Sequence, residues 1–148
     1  MGNLWKEKVN VATLAISTKS FQQTISKIRR IKGFGGTGFR AKEIMLDVKS
    51  ILDKSNFEHY FEDYEDWTPV GPGARKALCR IFSSVHIKKN SEQDYFRMLN
   101  IVHSFLLNHD HVIPKDMIYT IHDTQFVLCE FEKYMRLLNH ERGFCRKY

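Results

Sequence analysis

The chain has 148 residues, 43% hydrophobic and 27% charged, long enough to bury a core without cross-links and ordinary in composition, which excludes disorder and fibrous repeats. No apolar run approaches the roughly 20 residues of a membrane span, and Lys6, Glu7 and Lys8 interrupt what would have to be a signal peptide's apolar stretch. A net charge of +6 favours a polyanionic partner without identifying it, and it clusters at Lys27 to Lys42, Arg75 to Arg80 and Arg142 to Lys147.

In chain order, residues 1–20 read as an N-terminal extension. Ser20 or a neighbour then starts a helix with Phe21, Ile25 and Ile28 on one face, and Gly33, Gly35 and Gly36 stop it. A second helix opens near Thr37, with Ala41, Ile44, Met45, Val48, Ile51 and Leu52 at helical spacing. Phe57 to Thr68, aromatic and acidic without a clean period, reads as a loop or short turns. Pro69 and Gly71-Pro72-Gly73 mark a further turn, and Pro72 suits the first turn of a helix with Ala74, Ala77, Leu78 and Ile81 on one side and Arg75, Lys76 and Arg80 on the other.

Ser91 caps a fourth helix, with Phe96, Leu99, Val102 and Leu106 as its buried stripe, ending near Asn108. Beyond Pro114 a last helix starts around Asp116 or Asp123, buries Phe126 or Val127, Phe131, Tyr134 and Leu138, and ends at Gly143. No segment alternates as a strand. The expected fold is all-α, one intracellular domain over residues 1–148. Cys79, Cys129 and Cys145, an odd number at wide spacings, read as reduced thiols and are too few for an iron-sulfur cluster.

The run Ile31-Lys32-Gly33-Phe34-Gly35-Gly36-Thr37-Gly38 carries the most chemistry. Glycine lets backbone N–H groups approach a phosphate, and the following helix adds its dipole and unpaired amides. Gly33, Gly35, Gly36 and Thr37, with Lys32, Arg40 and Lys42 beside them, therefore form a candidate phosphate site inside a helix-hairpin-helix segment from about Ile25 to Val48. The plain alternative is a glycine turn between packed helices. A Walker-type loop is excluded, because Gly-x-x-x-x-Gly-Lys-Ser/Thr is absent. His103, His109 and His111 lack the i, i+4 pairing of zinc hydrolases and read as surface residues, so no metal or cofactor is assigned.

Three ordered blocks, Gly33 to Asp47, Asp66 to Leu78, and Leu128 to Tyr134 through Arg146-Lys147-Tyr148, resemble the alpha-glutamyl/putrescinyl thymine pyrophosphorylase family, which is related to helix-hairpin-helix DNA glycosylases. The resemblance begins at about Phe21. It implies a DNA glycosylase-like fold, DNA as partner, and an activated 5-hydroxymethyluracil converted by an amine nucleophile with loss of pyrophosphate. Family members carry a further helical region before the hairpin, whereas about twenty residues precede it here, so the resemblance implies a fragment, a divergent short form, or half of a split protein whose partner chain supplies that region.

By the same resemblance Asp66 is the catalytic position, facing a flipped nucleotide, where a carboxylate can stabilise developing positive charge or accept a proton. The bland alternative is an acidic loop residue among Glu62, Asp63 and Glu65. Trp67 is a candidate for stacking on the base, or else a packing anchor. Gly71 and Gly73 with Arg75, Lys76 and Arg80 form a second candidate anion site, or a solvated basic face. The tail from Glu130 to Lys147 can track a DNA backbone while Phe131 and Tyr134 pack it. The reading is thus a DNA base-modifying transferase, with a non-catalytic helix-hairpin-helix DNA-binding module, a DNA glycosylase, or a helical interaction protein as alternatives.

Overall fold

A computed structural model describes residues 2–55, 57, 60–82, 91–109, 113–114 and 116–141. These residues form six helices and no strand, so the fold class is all-α. Gly143, Cys145, His111 and the basic tail from Arg142 lie outside the described residues. The chain divides into two compact units, residues 1–69 and 70–148.

The first unit contains α1 (Asn3–Thr18), α2 (Phe21–Arg29) and α3 (Phe39–Lys54). The stretch read as an extension is thus helical, and Leu4, Val11 and Ala15 pack on the unit's core. Lys19, in the left-handed conformation, closes α1 by donating its N–H to the Ala15 carbonyl at 3.0 Å. Ser20 caps α2 as expected, its hydroxyl accepting from the Gln23 N–H at 3.1 Å.

A second cap comes from far along the chain. Asp63 accepts from the Ser20 hydroxyl at 2.6 Å and from the N–H groups of Phe21 and Gln22 at 2.5 and 3.1 Å. The first amides of α2, which no helix satisfies internally, thereby tie down the aromatic segment. Phe21 meets the rings of Phe61 and Tyr64 edge-on, at 5.6 and 5.1 Å between centroids. Around them Ile25, Ile28, Ala41 and Met45 complete a core in which each fully buried large side chain contributes about 1.5–3 kcal/mol. From the expected stripe of α3, Ala41 and Met45 enter this core and Ile44 and Leu52 flank it, but Val48 and Ile51 stay exposed.

The second unit contains α4 (Pro72–Ile81), α5 (Glu92–Leu107) and α6 (Ile121–Leu138). Pro72 opens α4, and reciprocal capping boxes open α5 (Ser91 with Asp94) and α6 (Thr120 with Asp123). The core joins Val70, Ala74, Ala77 and Leu78 to Tyr95, Leu99, Ile121 and Leu128, with Phe96, Val102 and Phe131 against its edge.

The face of α6 differs from expectation. Phe126, Tyr134 and Leu138 are 60, 62 and 57% exposed, whereas Thr124, Gln125, Leu128 and Glu132 are buried. The inward row is polar because its groups have partners: Thr124 meets His103 Nδ1 at 2.8 Å, Gln125 Nε2 donates to Cys129 Sγ at 3.2 Å, and Glu132 accepts from Arg80. An apolar-stripe rule cannot see a helix face buried by pairing rather than by hydrophobicity.

Candidate nucleic-acid interface

The chain leaves α2 through two tight turns, with the Ile31 N–H donating to the Ile28 carbonyl at 2.9 Å and the Phe34 N–H to the Ile31 carbonyl at 3.0 Å. Gly33, Gly36 and Gly38 then take positive φ values of 101°, 81° and 86°. Gly38 is the strictest position: a Cβ there would also lie 3.1 Å from both Arg29 Cδ and Pro69 Cβ. Because Gly38 is the left-handed N-cap, α3 begins at Phe39 rather than at Thr37. Gly35 is different in kind. It is exposed, its φ is not positive, and an added Cβ would make an ordinary 3.5 Å contact with the Arg29 carbonyl oxygen.

Two arginines hold the turn from opposite sides. Arg29 Nη2 donates to the Gly36 carbonyl at 2.7 Å, and Arg40 Nη1 donates to the Gly33 carbonyl at 3.1 Å. Sequence reasoning missed Arg29, although a guanidinium in the last turn of a helix is well placed to bind nearby carbonyls. Gly38, the N-cap of α3, has no side chain with which to cap it, and the first turn of the helix carries no acid.

Lys32 and Arg40 are exposed beside the turn and Thr37 is half-buried. Lys42 is not at the surface: it is 2% exposed, with Nζ 3.6 Å from Glu43 Oε1 and 5.7 Å from the Phe39 ring centre. A broader signal was available. Residues 8–42 hold eight Lys and Arg and no Asp or Glu, while the remainder of the chain nets −2, so the entire positive balance originates in α1, α2, the turn and the start of α3.

Asp66 is exposed, and its N–H donates to the Asp63 carbonyl at 3.3 Å. Trp67 is half-buried and packs against the first unit's core. Of the neighbouring acids, Asp63 is the one committed to capping α2. Pro69 connects this segment to the glycine turn through its approach to Gly38.

The second glycine turn is built for different ends. Gly71 is an extended N-cap, and a Cβ on Gly73 would come within 3.2 Å of Cys129 Sγ, so Gly73 permits the close approach of α4 to α6. Arg75 donates from Nε to the Val70 carbonyl at 2.7 Å and lies 4.9 Å from the Tyr95 ring centre. Arg80 binds Glu132 at 2.6 Å and Glu141 at 2.7 Å, which holds its guanidinium charged far above the ordinary arginine range and pulls the Glu141 carboxyl below the usual carboxylate range. Lys76 is exposed.

His103 is half-buried, stacked on Tyr119 with 6.0 Å between ring centres, and burial lowers its pKa below the ordinary imidazole value against the pull of Asp123. His109 lies on the Phe105 ring. Among the described residues, no three His, Cys, Asp or Glu side chains gather as a ligand set, and no helix is long and apolar enough to cross a membrane.

Residues 5–143 match the family described as "5-hmdU DNA kinase, helical domain". The chain belongs to this family. The match bears out the coarser content of the resemblance, a family concerned with DNA base modification and related to thymine hypermodification. It extends to α1, which the resemblance from Phe21 onward left out. Neither a curated protein nor a solved structure matches the chain.

Proposed function

We propose that this member of the 5-hmdU DNA kinase helical-domain family holds DNA at the base to be modified, gripping the backbone through the glycine turn between α2 and α3 in the manner of a helix-hairpin-helix. The observation that carries the reading is the coincidence of the acid-free segment 8–42, the left-handed glycines and a glycine N-cap at the start of α3. Exposed Lys32 and Arg40 flank the turn, where they add phosphate contacts that set register without reading sequence.

A second reading, the pyrophosphorylase-type transferase, is favoured by one contact. Pro69 packs on the Gly38 position, which ties the segment of exposed Asp66 to the glycine turn. In that reading an amine attacks the exocyclic methylene carbon of an activated 5-hydroxymethyluracil. The C–N bond forms, the C–O bond to pyrophosphate breaks, and the Asp66 carboxylate accepts the amine proton.

Binding to duplex DNA with and without 5-hydroxymethyluracil, across a salt series, tests both. The native chain should bind with a steep salt slope. Gly35→Glu, at a position that accommodates a side chain, should weaken binding about tenfold or more while leaving the fold intact. Asp66→Asn should bind DNA normally and lose any transferase activity. A folded native chain with no salt-dependent affinity overturns the DNA reading.

A further inference from the structure

Between α1 and α2 runs an open groove of about 840 Å³ that ends near the glycine turn, and its lining is unusual for a small-molecule pocket. Leu14 is its single apolar side chain, whereas pockets for organic ligands are mostly apolar. Hydroxyls come from Thr13, Ser17 and Ser26, amides from Asn10, Gln22 and Gln23, and positive charge from Lys27 and Arg30. A smaller hollow of about 350 Å³ shares Lys27 and Arg30 and adds Lys6 and Lys32, carrying the cationic surface to the turn. The Asn3 amide fastens the start of α1 there by donating to the Lys32 carbonyl at 3.1 Å.

We infer that this groove is a track for a nucleic-acid phosphodiester backbone, continuous with the glycine turn; the inference rests on the DNA reading above and extends it to α1. Ser, Thr, Asn, Gln, Lys and Arg are the side chains that contact phosphate and sugar in protein–DNA complexes, and these types make up the rest of the larger groove. No aromatic ring lines it, so it offers backbone contacts rather than a platform for stacked bases.

The nearby carboxylates leave the groove positive. Glu7 lies in the smaller hollow, 4.0 Å from Lys27 and bonded to the Asn10 amide, and Asp63 beside Gln22 is already occupied by three donors. The nine residues of α2 rise about 13 Å, the axial length of about four stacked nucleotides.

The test compares duplex binding of the full native chain, the double variant Lys27→Gln/Arg30→Gln, Ser26→Glu and Gly35→Glu across a salt series, with helix content and Tm as folding controls. The groove predicts that the double variant lowers the slope of log K against log salt by about 2, and that Ser26→Glu weakens binding several-fold by placing a carboxylate among the phosphates. If both groove variants bind like the native chain while Gly35→Glu is weakened, the groove inference falls and the glycine-turn reading stands. If the folded native chain shows no salt-dependent binding, both fall. A groove that binds free nucleoside triphosphate, lost in these variants while duplex affinity is unchanged, would also overturn the inference.

Discussion

Two glycine turns leading into helices carry basic residues in this chain, and they are built in different ways. Before α3, glycines adopt left-handed geometry, the N-cap is a glycine without a side chain, and residues 8–42 contain no acid. Before α4, Gly73 makes room for Cys129, Arg75 folds onto Val70 and Tyr95, and Arg80 is paired with Glu132 and Glu141. Glycine beside arginine is therefore one signal with two physical meanings. What separates them is how the arginines are engaged: Arg29 and Arg40 by carbonyls of the turn itself, Arg80 by two carboxylates.

The largest effect should come from Arg80. Arg80→Met strands the buried Glu132 carboxylate and should lower stability by about 3 kcal/mol in urea unfolding. A loss under about 1 kcal/mol would mean that the pair behaves as a surface bridge, and the contrast between the turns would weaken.

Next come the glycines themselves. Gly38→Ala should cost about 2 kcal/mol, because backbone conformation and crowding both oppose a side chain there. Gly73→Ala should cost about 1 kcal/mol, and Cys129→Ala in the same chain should recover part of it by removing the sulfur. If the second substitution recovers nothing, packing against Cys129 is not the reason for Gly73.

The smallest effect concerns His103 in the second unit. Its folded-state pKa lies below the unfolded value of 6.5, so the unfolded chain binds more protons as pH falls. The associated stability is present above about pH 6.5 and is lost as pH drops through the lower folded-state value. Tm measured from pH 7.5 to 5 should fall, and His103→Gln should flatten part of that decline. An unchanged slope in the variant would assign the acid sensitivity to other groups.

Much of the fold was legible locally. Ser20, Phe21, Ile25 and Ile28 announced α2, and Ser91 and Pro72 opened their helices where expected. α1 was hidden because it carries two apolar rows, Leu4, Val11 and Ala15 inward and Trp5, Val9 and Ile16 outward, which blur a single-face pattern. The inward face of α6 depends on Arg80 and His103, which no window of α6 contains. Of the candidate site, the turn and its flanking cations were readable. The burial of Lys42, the strictness of Gly38 and the role of Arg29 depend on how the helices close around the turn.

The Asp63 cap has a consequence for synthesis. The amides at the start of α2 find their carboxylate 42 residues downstream, so a nascent chain that has emerged only through the glycine turn still lacks that cap. Completion of α2 waits on the aromatic segment, and the order of translation places the maturation of this surface after residue 63 clears the ribosome.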